Sequence, residues 1–224
     1  VNAAGRMSTP DIATRLLLAN DETMEQEVRA LAAELDGENV RRQEEEAIVV
    51  AAARKIVQTD PDIGARSVLV VAGDGWHRGV IGIVASKLVD AFHRPAIVLA
   101  IEDGIAHGSC RSIRSFDMLG ALERCAGLMI RFGGHKQAAG LTLDAGRIKE
   151  FRLAVNAVAD ETLGPDDLTP RLRIDGDLTF CRISGGVASG VASLAPFGAG
   201  NPRPVFAARR VEIIDGPRTL KERH

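Results

Sequence analysis

The sequence lacks the patterns that mark several common kinds of functional site. It has no HxH or HExxH segment, and no cysteine is paired with another cysteine or a histidine at metal-ligand spacing. It also has no P-loop and no GxSxG motif. These absences argue against zinc enzymes, P-loop nucleotide hydrolases and α/β-hydrolases, and we expect no metal site within this chain.

Cysteines, long apolar runs and excess charge are scarce as well. Cys110, Cys125 and Cys181 are far apart and odd in number, which argues against a disulfide scaffold and fits the reducing cytoplasm. No run reaches the roughly 18–20 apolar residues of a membrane span, and no signal peptide is visible. The net charge of −2 does not indicate a nucleic-acid-binding protein, so a polyanion would have to bind a local basic patch.

The length and the two ends bear on domain organisation. The 224 residues suffice for one large domain or two small ones, and a composition with 46% apolar and 26% charged residues is typical of a globular protein. The chain begins with Val1 instead of methionine and stops directly after a predicted strand and turn. We therefore expect a fragment of a longer protein.

Helical patterns dominate the first sixty residues. Thr9 followed by Pro10 predicts a helix start. One long helix is predicted over residues 21–58, because apolar residues recur there at spacings of three and four. They are Met24, Val28, Leu31 and Leu35 in the first half and Ala47, Ile48, Ala51, Ala52 and Ile56 in the second. We expect the polar residues 41–46 between the two halves to be solvated, as in a helix that connects domains.

The pattern after Asp60 and Pro61 predicts an α/β domain. Short apolar runs predict strands at residues 68–72, 96–101, 105–109 and 141–143. Helices are predicted after Gly79, after Asp117, whose side chain can cap the helix that follows it, and from Ile148. Asp103 and Gly104 predict a two-residue hairpin between the second and third strands. We expect a mixed sheet with flanking helices.

A second, smaller unit is predicted beyond a linker at residues 164–167. Leu172 and Ile174 alternate as in a strand, and another strand is predicted near residues 205–207 with a continuation over residues 211–214. These patterns predict a mostly β unit.

Residues 133–135 form the first candidate site. Gly133, Gly134 and His135 are predicted to form a loop, with Arg131 before it and Lys136 after it. Glycines let the backbone approach a ligand closely, and the histidine and the two cations could hold a phosphate. A tight turn with a surface histidine is the alternative, and a short glycine motif alone does not decide between the two.

A hydroxyl beside a guanidinium forms the second candidate site. Ser109 and Arg111 are two residues apart at the end of a predicted strand, so both side chains can point to one face. The pair suits a phosphate because arginine offers a planar fork of donors, whereas the alternative is a solvated loop with an ion-paired arginine. Arg6, in a turn of small residues, is a weaker candidate, with a plain interdomain loop as the alternative.

Trp76 and His77 precede a predicted helix start, where backbone N–H groups favour anions. Trp76 could stack on a base or cover the edge of the core, and His77 could be a capping or ligand group. His93 and His107 have no acidic or histidine partner close in the sequence, and we expect both to be structural.

Five segments, taken in order, resemble one protein family. They are residues 2–6, 75–86, 108–112, 131–140 and 196–206, and they include the runs Asn-Ala-Ala-Gly-Arg, Gly-Ser-x-Arg-Ser and Gly-Gly-His. Together they are similar to the RecJ family of bacterial single-strand-specific DNA exonucleases, a branch of the DHH/DHHA1 phosphoesterases. The five motifs span almost the whole chain, and their order is not expected by chance.

The resemblance implies a domain order and a fold class. Residues 1–20 would be the C-terminal end of a DHH domain, and residues 21–58 a long connector helix. Residues 60–163 would form a DHHA1-type mixed sheet with flanking helices. Residues 166–224 would be a truncated OB-type β unit that binds nucleic acid, so the fold class implied is α/β.

The resemblance also implies roles for individual residues. Arg6, Ser109 and Arg111 match the family's grip on a 5′ phosphate. Residues 133–135 match a Gly-Gly-His loop that touches the nucleotide near the metal ions, with His135 as the catalytic contact. The Mn²⁺ or Mg²⁺ ions of the family are held by Asp and His ligands of the DHH domain, so none is expected in this chain.

The resemblance implies that the complete protein digests single-stranded DNA from its 5′ end in DNA repair and recombination. It also implies a cytoplasmic location, and a single-strand-binding protein and a helicase as further partners. Two alternatives stay open. One is a DHHA1-type phosphodiesterase of oligonucleotides or cyclic dinucleotides, and the other is a nucleic-acid-binding module without activity of its own. The motifs at residues 75–79 and 196–202 favour the exonuclease over the phosphodiesterase.

Overall fold

The protein divides into two compact units, Val1–Pro170 and Arg171–His224. The structure, a computed structural model, describes residues 2–19, 25–212 and 214–216. The helices of the first unit are α1 (Ala4–Met7), α2 (Asp11–Leu18), α3 (Glu25–Thr59), α4 (Pro61–Gly64), α5 (Ile81–Phe92), α6 (Met118–Arg124) and α7 (Ile148–Thr162). Its strands are β1 (Leu69–Asp74), β2 (Ala96–Glu102), β3 (Ile105–Arg111), β4 (Arg131–His135) and β5 (Ala138–Asp144).

The five strands form one mixed sheet in the order β1-β2-β3-β5-β4. β1 pairs with β2 in parallel, and the other neighbours pair antiparallel. The hairpin between β2 and β3 turns at Asp103 and Gly104, whose φ angles of 49° and 77° are both positive, as a type I′ turn requires. The predicted mixed sheet, its hairpin and its flanking helices are therefore confirmed.

One face of the sheet is covered by α6 and α7. Its strand residues pack against apolar residues of these helices, among them Leu122 and Phe151. Asn156 of α7 fixes this layer to the sheet, since its side chain accepts from the Val68 backbone N–H at 2.8 Å and donates to the Val68 carbonyl at 3.1 Å. The predicted cap of α6 is present, because the Asp117 carboxylate accepts from the Gly120 backbone N–H at 3.1 Å.

The other face of the sheet is only half covered. The buried cluster on this side joins α3 and α5 to β1 and β2 and includes Leu69, Val71, Ala96, Val98 and Ala100. Among the described residues, no member of β3, β4 or β5 belongs to this cluster. The part of this face formed by β3, β5 and β4 is called the open face below.

The helix α3 is close to its predicted extent, but its buried side differs from the prediction. Residues 20–24, with Met24, lie outside the described residues. Leu31 and Leu35 are buried as predicted. In the second half, Ala47, Ile48 and Ala51 are exposed, and the buried positions are Glu46, Val49, Ala53 and Val57. Within the described part of the chain, no helix is both long and apolar enough to cross a bilayer.

The polar middle of α3 is not fully solvated, contrary to the expectation for residues 41–46. Glu46 is buried and forms ion pairs with Arg42 of the same helix and with Lys87 of α5. Arg42 also donates to the Asn39 side-chain oxygen at 3.1 Å. Because α5 packs against this side of α3, Glu46 occupies a position in the buried row of α3 where an apolar residue would be expected, and its ion pair with Lys87 links the two helices.

The second unit contains β6 (Gly176–Asp177), α8 (Gly185–Ala192) and β7 (Phe206–Ala207). β6 and β7 pair in parallel, which confirms a strand near residues 205–207. The strand predicted at Leu172 and Ile174 is wrong, since both residues are exposed and the strand begins at Gly176. The described residues among 211–214 form no strand.

Replacing Glu46 with Ala is expected to lower the free energy of unfolding by about 2 kcal/mol. Breaking a fully buried ion pair costs roughly 3–5 kcal/mol, and the loss here is smaller because the Lys87 side chain is half exposed. The loss arises because Arg42, only 17% exposed, is left with an unpaired charge. Urea unfolding of the chain measures it. Glu44→Ala, an exposed carboxylate on the same helix, is the matched control, and equal midpoints for the two variants would contradict the proposed tie.

Candidate functional site

The open face carries its polar side chains in three cross-strand rows. Residues paired across an antiparallel sheet point to the same side, so the register of β3, β5 and β4 defines these rows. The Arg111 row is Arg111, Ala138 and His135; the Ser109 row is Ser109, Gly140 and Gly133; the His107 row is His107, Thr142 and Arg131. Small residues in the middle strand leave the surface between the polar groups accessible.

Arg111 and Ser109 form a hydrogen-bonded pair at the end of β3. The Arg111 Nη1 donates to the Ser109 Oγ at 3.2 Å and to the Cys110 carbonyl at 2.8 Å. The first turn of α5 lies directly against them, since a Cβ placed on Gly82 would be 3.0 Å from the Ser109 Oγ and 3.2 Å from the Arg111 Nη2. The predicted common orientation of the two side chains is confirmed, and no carboxylate holds this guanidinium among the described ion pairs.

The His107 row is a second polar group on the open face. Thr142 is buried, and its Oγ1 accepts from the Arg131 Nε at 3.2 Å. Burial lowers the pKa of His107 below its ordinary value, as do the nearby charges of Arg78 and Arg131, while Glu102 acts in the opposite direction. The expectation that His107 is structural stays a prediction, although this residue lines the cleft described next.

Arg6 reaches the open face through a close contact between two backbones. A Cβ on Gly79 would lie 2.0 Å from the Arg6 carbonyl oxygen, so only glycine lets the segment before α5 approach α1 this closely. The Arg6 Nη1 also donates to the Gly79 carbonyl, at 3.4 Å. The contact sets Arg6 at a cleft of about 610 Å³, whose polar lining includes Arg6, Arg78, His107, Ser109, Arg131 and Thr142.

The structure brings most of the sequence-predicted residues together. Arg6, Ser109 and Gly133 line one cleft, and Arg111 and His135 share a cross-strand row next to it. The prediction of a glycine loop at residues 133–135 is wrong, because these residues lie in the edge strand β4. Its strand pairing with β5 turns the side chains of Arg131 and His135 to the open face, where both are exposed.

The two glycines of β4 have different surroundings. Gly134 has a φ of 144°, and a Cβ there would lie 2.5 Å from the Ala139 Cα, so glycine is needed for the strand pairing itself. A Cβ on Gly133 would meet nothing within 4 Å, and this residue therefore leaves free space on the open face. Lys136, predicted to flank the site, is exposed and lies 3.6 Å from Asp117 instead.

Trp76 and His77 are largely engaged within the fold. The Trp76 ring lies flat against the backbone of Gly73, where an added Cβ would be 2.2 Å from its Cε2, and it packs on the α3–α5 core. His77 accepts from the Gly79 backbone N–H through its Nδ1 at 3.0 Å. Both also line a neighbouring cavity of about 540 Å³ together with Arg6. The core-edge interpretation of Trp76 is therefore supported.

Two ionisable residues of the cleft, Arg78 and His107, were not selected as site candidates from the sequence. His107 precedes Ser109 by two residues on the same strand, so strand alternation alone would have put it on the same face. Arg78 lies in a loop, and its position depends on the Gly79 contact, for which the sequence contains no separate signal.

The described residues do not suit a metal ion. No group of three or more His, Cys, Asp or Glu side chains comes together in the parts of the chain that the structure covers. The cleft is lined by guanidinium groups, which repel cations. The buried Cys110 is no nucleophile, because burial raises the pKa of its thiol to about 12.

Replacing Gly79 with Ala is expected to destabilise the chain by about 2 kcal/mol, because the added methyl group displaces the Arg6 backbone. Thermal or urea unfolding measures the change. Gly127→Ala is the matched control, since a Cβ there meets nothing within 4 Å and should leave stability nearly unchanged. If the two substitutions behave alike, the Gly79 contact does not hold Arg6 in place.

Comparisons with known proteins agree with this architecture. Residues 65–161 match the DHHA1 domain family, and residues 174–224 match the RecJ OB domain family. The single-stranded-DNA-specific exonuclease RecJ of Bacillus subtilis is 40% identical over 96% of this chain and 27% of its own length. The protein of the same name from Escherichia coli is 35% identical over 92% of this chain and 36% of its own length.

Solved structures of the same family are similar in fold. RecJ from Thermus thermophilus in complex with Mn²⁺ matches with a TM-score of 0.78 at 34% identity, over 93% of this chain and 30% of that one. The same protein with Mg²⁺ matches with a TM-score of 0.76 over 92% of this chain and 31% of that one. The chain thus spans roughly a third of the length of these relatives. It belongs to the RecJ family, and it corresponds to a C-terminal part of that family's members with a DHHA1 domain followed by an OB domain.

Proposed function

We propose that this chain supplies the substrate-gripping part of a 5′-to-3′ exonuclease that digests single-stranded DNA in repair and recombination. The observation that carries the proposal is the open face, where the Arg111–Ser109 pair adjoins a cleft lined by Arg6 and Arg131. The names of the related proteins support it, since they are called single-stranded-DNA-specific exonucleases.

A grip on a terminal phosphate explains a preference for strand ends. A 5′-terminal phosphate carries more negative charge than an internal phosphodiester, so a cationic site favours it electrostatically. Arg111 and Ser109 offer a guanidinium fork and a hydroxyl at one place, and Arg6 lines the same cleft as Ser109. Contacts of this kind carry no base information, and we expect weak sequence preference and strong salt dependence.

His135 and its two preceding glycines are proposed to contact the nucleotide. His135 is exposed in the same row as Arg111, so a nucleotide whose phosphate is held by Arg111 can extend toward it. Gly133 leaves room for the sugar, and Gly134 holds β4 in position. We propose His135 as the catalytic contact of this chain. Trp76 and His77 are proposed to contact the strand from the neighbouring cavity.

The metal ions are proposed to lie outside this chain. The structures of the Thermus relative are described with Mg²⁺ and with Mn²⁺, whereas the cleft here is cationic. We propose that a DHH domain, whose C-terminal end is residues 1–20, holds Mn²⁺ or Mg²⁺. In this division, residues 21–58 connect it to a DHHA1 domain at residues 60–163 and an OB-type domain at residues 166–224.

The proposed substrate and partners follow from this assignment. The match to the RecJ OB domain supports binding of single-stranded DNA upstream of the grip. We further propose a cytoplasmic location, and a single-strand-binding protein and a helicase as partners, because single strands must be opened and kept accessible before digestion.

Arg111→Ala in the complete protein tests the grip. We expect the ratio of digestion rates on 5′-phosphorylated and unphosphorylated strands to fall about tenfold, the effect of losing one charge-assisted contact. The measurement compares two oligonucleotides that differ only in the terminal phosphate. Arg124→Ala, which removes one positive charge from α6 on the opposite side of the sheet, should leave the ratio as it is. An unchanged ratio in Arg111→Ala would refute the grip.

The chain by itself is expected to bind single-stranded DNA but not to digest it when Mn²⁺ is added, because none of the described residues that line the cleft is a carboxylate that could hold the ions. Incubation of the purified chain with labelled single strands and Mn²⁺, beside the complete protein, measures this. Digestion by the chain alone at the rate of the complete protein would be incompatible with a metal site elsewhere. If neither the chain nor the complete protein digests the strands, the alternative of a nucleic-acid-binding module without activity of its own is favoured.

A further inference from the structure

We propose that the cleft accepts a 5′ triphosphate at the end of a single strand. The phosphate nearest the sugar lies at Arg111 and Ser109, and the two further phosphates extend past it into the His107 row. The inference rests on the proposed function and deepens it, because it names a further class of strand end that the same site binds.

The position of the cleft sets the direction of this extension. In the proposed function, the nucleotide extends from the Arg111–Ser109 pair toward His135, and the first internucleotide bond lies there, beside the metal site outside this chain. The cleft lies on the other side of the pair, because its described lining includes Ser109 and the whole His107 row but neither Arg111 nor His135. A group that is attached to the 5′ phosphate and points away from the nucleotide therefore enters the cleft.

The length of the cleft fits two added phosphates. Ser109 and His107 are two residues apart on β3, a separation of roughly 7 Å along a strand. Neighbouring phosphates of a polyphosphate share one oxygen, so two of them lengthen the end by a similar distance. The cleft, with a volume of about 610 Å³, is larger than a single phosphate fills. A monophosphate at Ser109 would thus leave the His107 row without a ligand.

The positive charge at the cleft exceeds what one phosphate neutralises. Three guanidinium groups line it, those of Arg6, Arg78 and Arg131, and a fourth adjoins it at Arg111. No carboxylate is found among the described residues of the lining. A terminal phosphate carries roughly −1.5 to −2 charges, and each added phosphoryl group brings about one more. A triphosphate therefore matches the charge of these groups more closely than a monophosphate does.

Two of these guanidinium groups keep most of their donors available. The Arg131 Nε donates to the Thr142 Oγ1 at 3.2 Å, whereas neither of its Nη groups has a hydrogen-bond partner among the described residues. The exposed Arg78 is paired, within the described part of the chain, only with Glu102, at 3.9 Å, which is beyond hydrogen-bond distance. Both side chains can therefore present their planar forks to phosphate oxygens.

The electrostatics of His107 show that these two charges converge on the same place. Burial lowers the pKa of His107, and the charges of Arg78 and Arg131 lower it as well, while Glu102 acts in the opposite direction. Arg78 precedes α5 and Arg131 lies in β4, so the two charges come from separate segments. A polyphosphate beside His107 can bridge them, and it is screened less there than on an open surface.

The direct test uses single-stranded DNA oligonucleotides of one sequence that carry a 5′ hydroxyl, a 5′ monophosphate or a 5′ triphosphate. Their affinities for the complete protein are measured by fluorescence anisotropy without divalent metal, so that the strands are not cut. We expect the triphosphate to bind about tenfold more tightly than the monophosphate, the effect of one charge-assisted contact. Equal or weaker binding of the triphosphate would overturn the proposal.

The variants Arg131→Gln and Arg78→Gln locate the added phosphates. The ratio of the two affinities is taken within each variant, so that a general loss of binding cancels. We expect this ratio to fall to about two in both, because each substitution removes a contact that only the triphosphate makes. Arg124→Gln, the charge-matched control on the other side of the sheet, should keep the tenfold ratio. An unchanged ratio in both cleft variants, or an equal fall in Arg124→Gln, would show attraction by overall charge and reject the proposal.

The first product of digestion gives a second readout. Hydrolysis of the first internucleotide bond adds the hydroxyl of water to phosphorus, and the 3′ oxygen leaves with the proton. The first nucleotide of a triphosphorylated strand is therefore released as a nucleoside triphosphate, and every later one as a monophosphate. Ion-exchange chromatography of the products of the complete protein with Mn²⁺ should detect one nucleoside triphosphate per digested strand. Intact strands, or release of pyrophosphate instead, would contradict the proposal.

Failure of this inference can be told apart from failure of the proposed function. If Arg111→Ala retains the preference for a 5′ monophosphate over a 5′ hydroxyl, the proposed grip itself fails. If Arg111→Ala loses that preference, but the triphosphate has no advantage in the unsubstituted protein, only the extension into the His107 row is rejected.

Discussion

The alternation of side chains along β3 is the constraint on which the rest of the site depends. Ala106, Gly108 and Cys110 face the core beneath α6 and α7, whereas Ser109 and Arg111 point to the open face. A slip of one residue in the register would bury Arg111 and Ser109 and expose the core side chains. The packing of Cys110, whose thiol pKa is raised to about 12 by burial, therefore also orients Ser109 and Arg111 on the other side of the strand.

Several glycines act here by allowing close approach and not by bending the chain. Gly79 admits the carbonyl of Arg6, and Gly82 admits the side chains of Ser109 and Arg111. Gly108 lies on the core side of β3, where a Cβ would be 2.7 Å from the Leu99 Cδ2. These contacts bring α1, α5 and β3 to one place, so that cations from separate segments share a cleft that none of them could form alone.

The sequence is sufficient to predict the sheet, the hairpin, the cap of α6 and the common face of Ser109 and Arg111, because each follows from local pattern or strand periodicity. It is not sufficient for β4. The two glycines of residues 133–135 suggest a loop, whereas pairing with β5 holds them in an edge strand. Strand pairing is a tertiary contact, and the intrinsic preference of glycine does not reveal it.

The error in α3 has a similar cause. The apolar Ala47 and Ile48 predict the wrong buried side for the second half of this helix. The side that is buried carries Glu46, because Lys87 of α5 lies against it and forms an ion pair with its carboxylate. The neighbours of His107 could not be predicted either, because Arg78 and Arg131 come from distant segments. The side chains that pack against a histidine or a glutamate come from distant parts of the chain, and the residues next to it in the sequence do not reveal them.

The ion pairs of Glu46 give the long helix a mechanical role. Lys87 belongs to α5, and the first turn of α5 touches Ser109 and Arg111. Direct contacts therefore run without a break from the middle of α3, through Lys87 and the first turn of α5, to the side chains at the end of β3. The residue at position 46 thus bears on the placement of Ser109 and Arg111, although it lies on another element and touches neither of them.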